Sequence, residues 1–207
     1  DNVHGHQSIS IMSSTTQNAL GVAGINWASQ VMVQDVVEQP VVSMDQAIKA
    51  GLDFAVANGM KVVFQASVES EAAAAQISAV SALLGGTDSY ALYAYAAGNH
   101  FTDIDNPAGS LGAWARLFGV QSNGLAIGAV ISGPATAFTS SPSSFVSTST
   151  GGINNATAVS RASYSNFGPK LTLVGPTDSP AVRGDGVVPM GNGLLATPTN
   201  TNGALYF

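Results

Sequence analysis

A chain of 207 residues is long enough to bury one sizeable core, and residues 1–207 read as a single domain. It is 45% hydrophobic but only 9% charged, where an ordinary globular chain carries about a quarter charged residues. A net charge of −6 argues against nucleic acid and anionic membrane surfaces, and the lack of cysteine excludes a disulfide framework and thiolate metal sites.

Residues 1–14 hold His4-Gly5-His6-Gln7, then Ile9, Ile11 and Met12 among serines, with no period that chooses between helix and strand. Three readings of the histidines stand open. On a strand, His-x-His puts both rings on one face, as zinc ligands would be; both can be surface residues without a role; or His4 is a general base at the start of a helix. After Gly21-Val22-Ala23-Gly24-Ile25, the run Gln30–Val36 is predicted as a strand. Ser43 caps a predicted helix to about Asn58, with Ala47, Ile48, Leu52 and Ala55 as its apolar face and Gly59 as its stop. Lys61–Ala66 is a second strand, Glu69–Leu84 an alanine-rich helix, and Tyr90–Ala94 a third strand. This alternation predicts right-handed crossovers in a parallel sheet with helices on both faces, an α/β three-layer sandwich.

The third strand runs into Tyr95-Ala96-Ala97-Gly98-Asn99-His100. A side-chain amide at a rigid strand end, where glycine lets a substrate approach, suits a group that stabilises an oxyanion; the plainer reading is a Gly-Asn turn. Beyond it come a short helical piece at Leu111–Leu117, a buried strand at Leu125–Ile131, polar loops over 133–160, a strand at Leu171–Val174 stopped by Gly175-Pro176, and turns from Asp178 to Asn202. No apolar run approaches the roughly 18 residues of a membrane span. Low charge with abundant Ser, Thr, Gly and Asn fits a secreted or cell-surface bacterial protein.

Several stretches together resemble the subtilisin-like serine peptidases. His4-Gly5-His6-Gln7 and Gly21–Ile25 resemble the family's histidine motif and the loop that follows it. Ala96-Ala97-Gly98-Asn99 matches the family's Ala-Ala-Gly-Asn at every position. Ile127-Gly128-Ala129-Val130 resembles its Val-Gly-Ala-Val strand, and Ala162–Pro169 with Gly175-Pro176-Thr177 its Ala-Ser-[FY]-Ser-x-[FY]-Gly-Pro and Ala-Pro-Gly. The resemblance spans residues 4 to 177. It implies a serine-type endopeptidase acting on polypeptides through an acyl-enzyme, with His4 as general base and Asn99 as oxyanion donor. Ser67, Val68 and Glu69 would pair with substrate as an added strand, beside Gly98. The family's catalytic Asp and Ser motifs match nothing here, so residues 1–207 are expected to be an inactive middle portion of a longer domain.

Departures stand beside the matches. Thr and the second His of the family motif are His6 and Gln7, its Ala-Gly is Ile9-Ser10, and the Gly that ends its substrate-pairing segment is Glu69. Loss of that glycine is expected to alter the wall of the specificity pocket in favour of basic or polar side chains. The alternative from another class is a subtilase-like binding module without chemistry. No cofactor is required. A structural calcium is implied at Asn18, with the carbonyls of Thr16, Leu20 and Val22, against the plain reading of Asn18 as a turn residue.

Overall fold

The structure is a computed structural model that describes residues 2–17, 23–36, 42–109, 111–132, 159–162, 165–176, 189–190 and 194–195. The chain divides into two units, one of Asp1–Val31, Val130–Ser163 and Pro176–Phe207, the other of Met32–Ala129 and Tyr164–Gly175.

Helix α1 (Asn2–Ser13) belongs to the first unit; in the second, α2 (Met44–Ala57) is capped by Ser43, whose backbone N–H donates to Gln46 Oε1 at 3.2 Å. Its buried residues Ala47, Ile48, Gly51, Leu52 and Ala55 recur at helical spacing on one face. It ends before Gly59, whose φ of +62° suits glycine. Strands β1 (Val62–Ala66), β2 (Ala91–Ala96) and β3 (Gly124–Ser132) follow, with α3 (Ala74–Leu84) and α4 (Ala113–Gly119) as the connections. All three strands are parallel, Val62 lying opposite Ala91 and Tyr93 opposite Gly124.

Alternation along β2 decides where the core sits. Ala91, Tyr93 and Tyr95 are buried, whereas Leu92 is 38% exposed. Phe64 of β1 stacks on Tyr93 at 5.0 Å, and Phe118 of α4 stacks on Tyr93 and Tyr95 at 5.7 and 5.1 Å. Ile48 and Leu52 of α2 and Val80 and Leu84 of α3 complete this cluster. The three helices therefore share one face of the sheet. Gly51 lets α2 ride directly on Phe64, since a Cβ there would lie 2.5 Å from the ring's Cε1. The other face, carrying Val63 at 65% exposure and Leu92, is left open by the described residues of this unit. β5 (Leu173–Pro176) pairs with β3, and Thr172 N–H just before it donates to Ala126 O at 2.8 Å.

In the first unit, α1 (Asn2–Ser13) is held to the segment after it: Gly24, Ile25 and Asn26 N–H donate to Ser14, Ile11 and Met12 O at 3.1, 2.9 and 2.8 Å. The end of β3 pairs antiparallel with β4 (Val159–Arg161), Val130 opposite Arg161. β6 (Pro189–Met190) and β7 (Leu194–Leu195) form a two-stranded antiparallel pair.

The α/β sandwich with a mainly parallel sheet stands as expected, with corrections, the first being that the described helices of the second unit lie on one face of the sheet where helices on both faces were expected. Residues 30–35 form no strand: they are irregular and exposed, with Val31 and Val33 at 45% and 65%. A strand needs a ladder of backbone bonds, and the bond from Val42 N–H to Asp35 O at 3.1 Å does not make one. α3 begins at Ala74 rather than Glu69, because residue 69 is engaged elsewhere. β5 begins two residues later than expected. Residues 4–6 are helical, so the strand geometry behind the zinc reading of His4 and His6 is not adopted. The loops expected over 133–160 and the turns over 178–202 lie mostly outside the described residues.

Candidate functional site

Parallel strands deliver their carboxyl ends to one edge, the usual place for ligands in such sheets. Here β1 and β2 end beside the middle of β3, which brings together residues 67–69, 97–100 and 127–129, and residues 165–168 dock on them. Ala97 N–H donates to Ile127 O at 2.8 Å, Asn166 N–H to Gly98 O at 3.0 Å, and Ala129 N–H to Ser165 Oγ at 2.9 Å.

Asn166 is the hub. It is fully buried, and its Nδ2 donates to Ala97 O and to Glu69 Oε1, both at 2.8 Å. Its Oδ1 accepts from His100 N–H at 3.0 Å and Thr102 N–H at 2.9 Å. That uses both donors and both acceptor positions of the amide. Glu69 is the second hub, its side chain only 11% exposed. Oε2 accepts from Asn99 N–H at 2.7 Å and contacts His100 Nδ1 at 2.6 Å, while Oε1 takes the Asn166 amide. A carboxylate taken out of water requires such donors. Gly98 adopts φ +107°, and a Cβ there would run into Glu69 Oε1 and Asn166 Nδ2. Only glycine fits.

Beneath the loop, burial pushes the Tyr95 hydroxyl well above its usual pKa, and the Glu69 charge pushes it further. Beyond it, Arg116 Nη1 donates to Ile104 O and Asn106 O at 2.9 and 2.6 Å. Lys170 Nζ lies 2.6 Å from Asp105 Oδ1. Desolvation raises the Asp105 pKa, but the hydrogen bonds and charge of Lys170, with the charge of Arg116, outweigh it and hold the carboxyl below its usual range.

Of the residues expected at a site, Asn99, Gly98 and Glu69 come together, Asn99 exposed at the strand end. Ser67 accepts a hydrogen bond from Gln65 Nε2, and Ser67 to Glu69 continue beyond β1 without regular structure. The Glu69 carboxylate, expected to alter the wall of a specificity pocket, contacts Asn99 N–H, His100 Nδ1 and Asn166 Nδ2. His4 lies in α1 of the first unit, and its side chain is outside the described residues. Thr16 is half-buried after α1, whereas Asn18, Leu20 and Val22 lie outside the described residues. Among the described residues, no three His, Cys, Asp or Glu side chains gather as a metal site. Sequence reasoning missed His100 and Asn166, although both stand inside stretches it had singled out.

No protein-family model matches the chain, and no curated protein matches it. Among the described residues, no helix is long and apolar enough to cross a membrane.

Proposed function

We propose that this chain is the central part of a subtilisin-like serine endopeptidase domain, secreted or displayed at the cell surface, which cleaves polypeptides through an acyl-enzyme. One observation carries the reading. Parts of three stretches that resemble the family, far apart in sequence, meet beside the carboxyl end of β2: residues 96–99, 127–129 and 165–169 are joined by the bonds of Ala97, Ala129 and Asn166. Asn99 emerges there at the end of β2, where an amide donor can meet a carbonyl oxygen. On this reading His4 takes the proton of a serine supplied from outside residues 1–207 and returns it to the leaving amine, with an aspartate from outside holding its tautomer. Asn99 donates Nδ2–H to the tetrahedral oxyanion.

A specific observation favours the second reading, a subtilase-like binding module without chemistry. The Glu69 carboxylate sits 2.7 Å from the Asn99 backbone nitrogen, so a negative charge stands beside the group meant to stabilise one. Peptide turnover separates the two. The full-length chain is expected to cleave casein and to lose that activity in His4→Ala, whereas residues 1–207 alone are expected to be inert because the triad acts as a unit. Full-length protein that binds peptides and never cleaves them would overturn the endopeptidase reading.

A further inference from the structure

We infer that Glu69, Asn166 and His100 form a clamp that fixes the backbone at Asn99, which makes Glu69 and Asn166 positioning residues for the oxyanion donor rather than determinants of substrate side-chain preference. The inference rests on the endopeptidase reading for its catalytic half only; the clamp itself is a matter of geometry.

Four backbone groups in three consecutive peptide units have assigned partners: Ala97 O on Asn166 Nδ2, Gly98 O on Asn166 N–H, Asn99 N–H on Glu69 Oε2 and His100 N–H on Asn166 Oδ1. Thr102 N–H adds a fifth bond to the same amide. A loop at a strand end ordinarily leaves such groups to water. Here they converge on two residues, Glu69 and Asn166, whose side chains also bond each other at 2.8 Å. His100, its side chain 49% exposed, closes the ring by placing Nδ1 2.6 Å from Glu69 Oε2. A contact that short needs one proton between Nδ1 and Oε2. Gly98 leaves the space that both side chains occupy. Three of the roughly four lone-pair positions of the carboxylate are taken by protein groups, so the clamp and a pocket-wall role compete for the same side chain.

Two measurements test this separately. In residues 1–207, amide hydrogen exchange at Asn99, His100 and Thr102 is expected to be slowed at least tenfold relative to an open loop. Glu69→Gln replaces one carboxylate oxygen with an N–H2, which sets donor against donor either at Asn99 N–H and His100 Nδ1 or at Asn166 Nδ2, so it should loosen the clamp and speed exchange at Asn99 by about tenfold or more while the amides of β2 stay protected. Unprotected Asn99 in the parent chain, or protection unchanged in Glu69→Gln, overturns the clamp. If Glu69→Gln does not fold, Glu69→Ala provides the same reading, since it removes the acceptor of Asn99 N–H; His100 Nδ1 should also show a hydrogen-bonded proton resonance that His100→Ala removes. In the full-length chain, Glu69→Gln is expected to lower kcat about tenfold or more with KM little changed, the cost of a misplaced donor, and to leave preference among peptides that differ in one side chain unaltered. A changed preference at unchanged kcat makes Glu69 a pocket wall and overturns the positioning role. Slowed exchange with no cleavage by any full-length variant sinks the endopeptidase reading and leaves the clamp standing.

Discussion

Gly98 and Tyr95 show how strongly single residues are constrained near the strand end. Gly98→Ala places a methyl group among Glu69 and Asn166 at φ +107°. The backbone alone costs about 1–3 kcal/mol, so chemical denaturation should show at least that loss; a change under about 0.5 kcal/mol would mean that the loop relaxes freely. Tyr95 gives a pH test with a definite sign. Its folded pKa lies above the model-compound value of 10.0, so stability from the neutral phenol is fully present below about pH 10. Above that, the unfolded chain gives up the proton while the folded chain holds it, and stability falls as pH rises. Denaturation midpoints from pH 8 to 11 should decline for the parent chain and less steeply for Tyr95→Phe; equal slopes would place the hydroxyl in water. Tyr93 shifts the same way, burial being its main cause, so some slope should remain.

At the scale of elements, α2 on β1 is set by a missing side chain. In an exposed helix Gly→Ala gains about 1 kcal/mol. At Gly51 the new methyl meets Phe64, whose ring is pinned by its stack on Tyr93, so Gly51→Ala should destabilise on balance in thermal melts; a raised midpoint would show that the ring yields. α2 was legible because Ala47, Ile48, Leu52 and Ala55 repeat at helical spacing between a capping serine and a stopping glycine. β2 and β3 were legible as apolar runs. The start of α3 was misread because Glu69–Ala73 consists largely of helix formers, and their propensity lost to hydrogen bonds made by Glu69 with residues 30, 31 and 97 positions away. Gln30–Val36 has strand composition, but composition cannot supply a neighbouring strand. Asn166 was invisible for the same reason: a buried asparagine's role is set by partners 64 to 97 positions away, and nothing local marks it.

For the whole molecule, the α/β class followed from the alternation of elements, and the edge where Asn99 emerges followed from strands being parallel. Which helices cover which face did not, because β2 buries Tyr93 and Tyr95 on one side and shows Leu92 on the other, a pattern the run Tyr90–Ala94 conceals by being apolar throughout. The proposed calcium belongs to this scale as well: chelator should lower the melting midpoint of the full-length chain, and Asn18→Ala should abolish that effect, while an unmoved midpoint removes the site. The endopeptidase reading itself is tested most directly at Asn99. Steady-state peptide hydrolysis by the full-length chain should lose about 10²–10³ in kcat on Asn99→Ala, with KM nearly constant, as loss of one oxyanion donor requires. Unchanged kcat in that variant would contradict the assignment of Asn99 and with it the family of the active site.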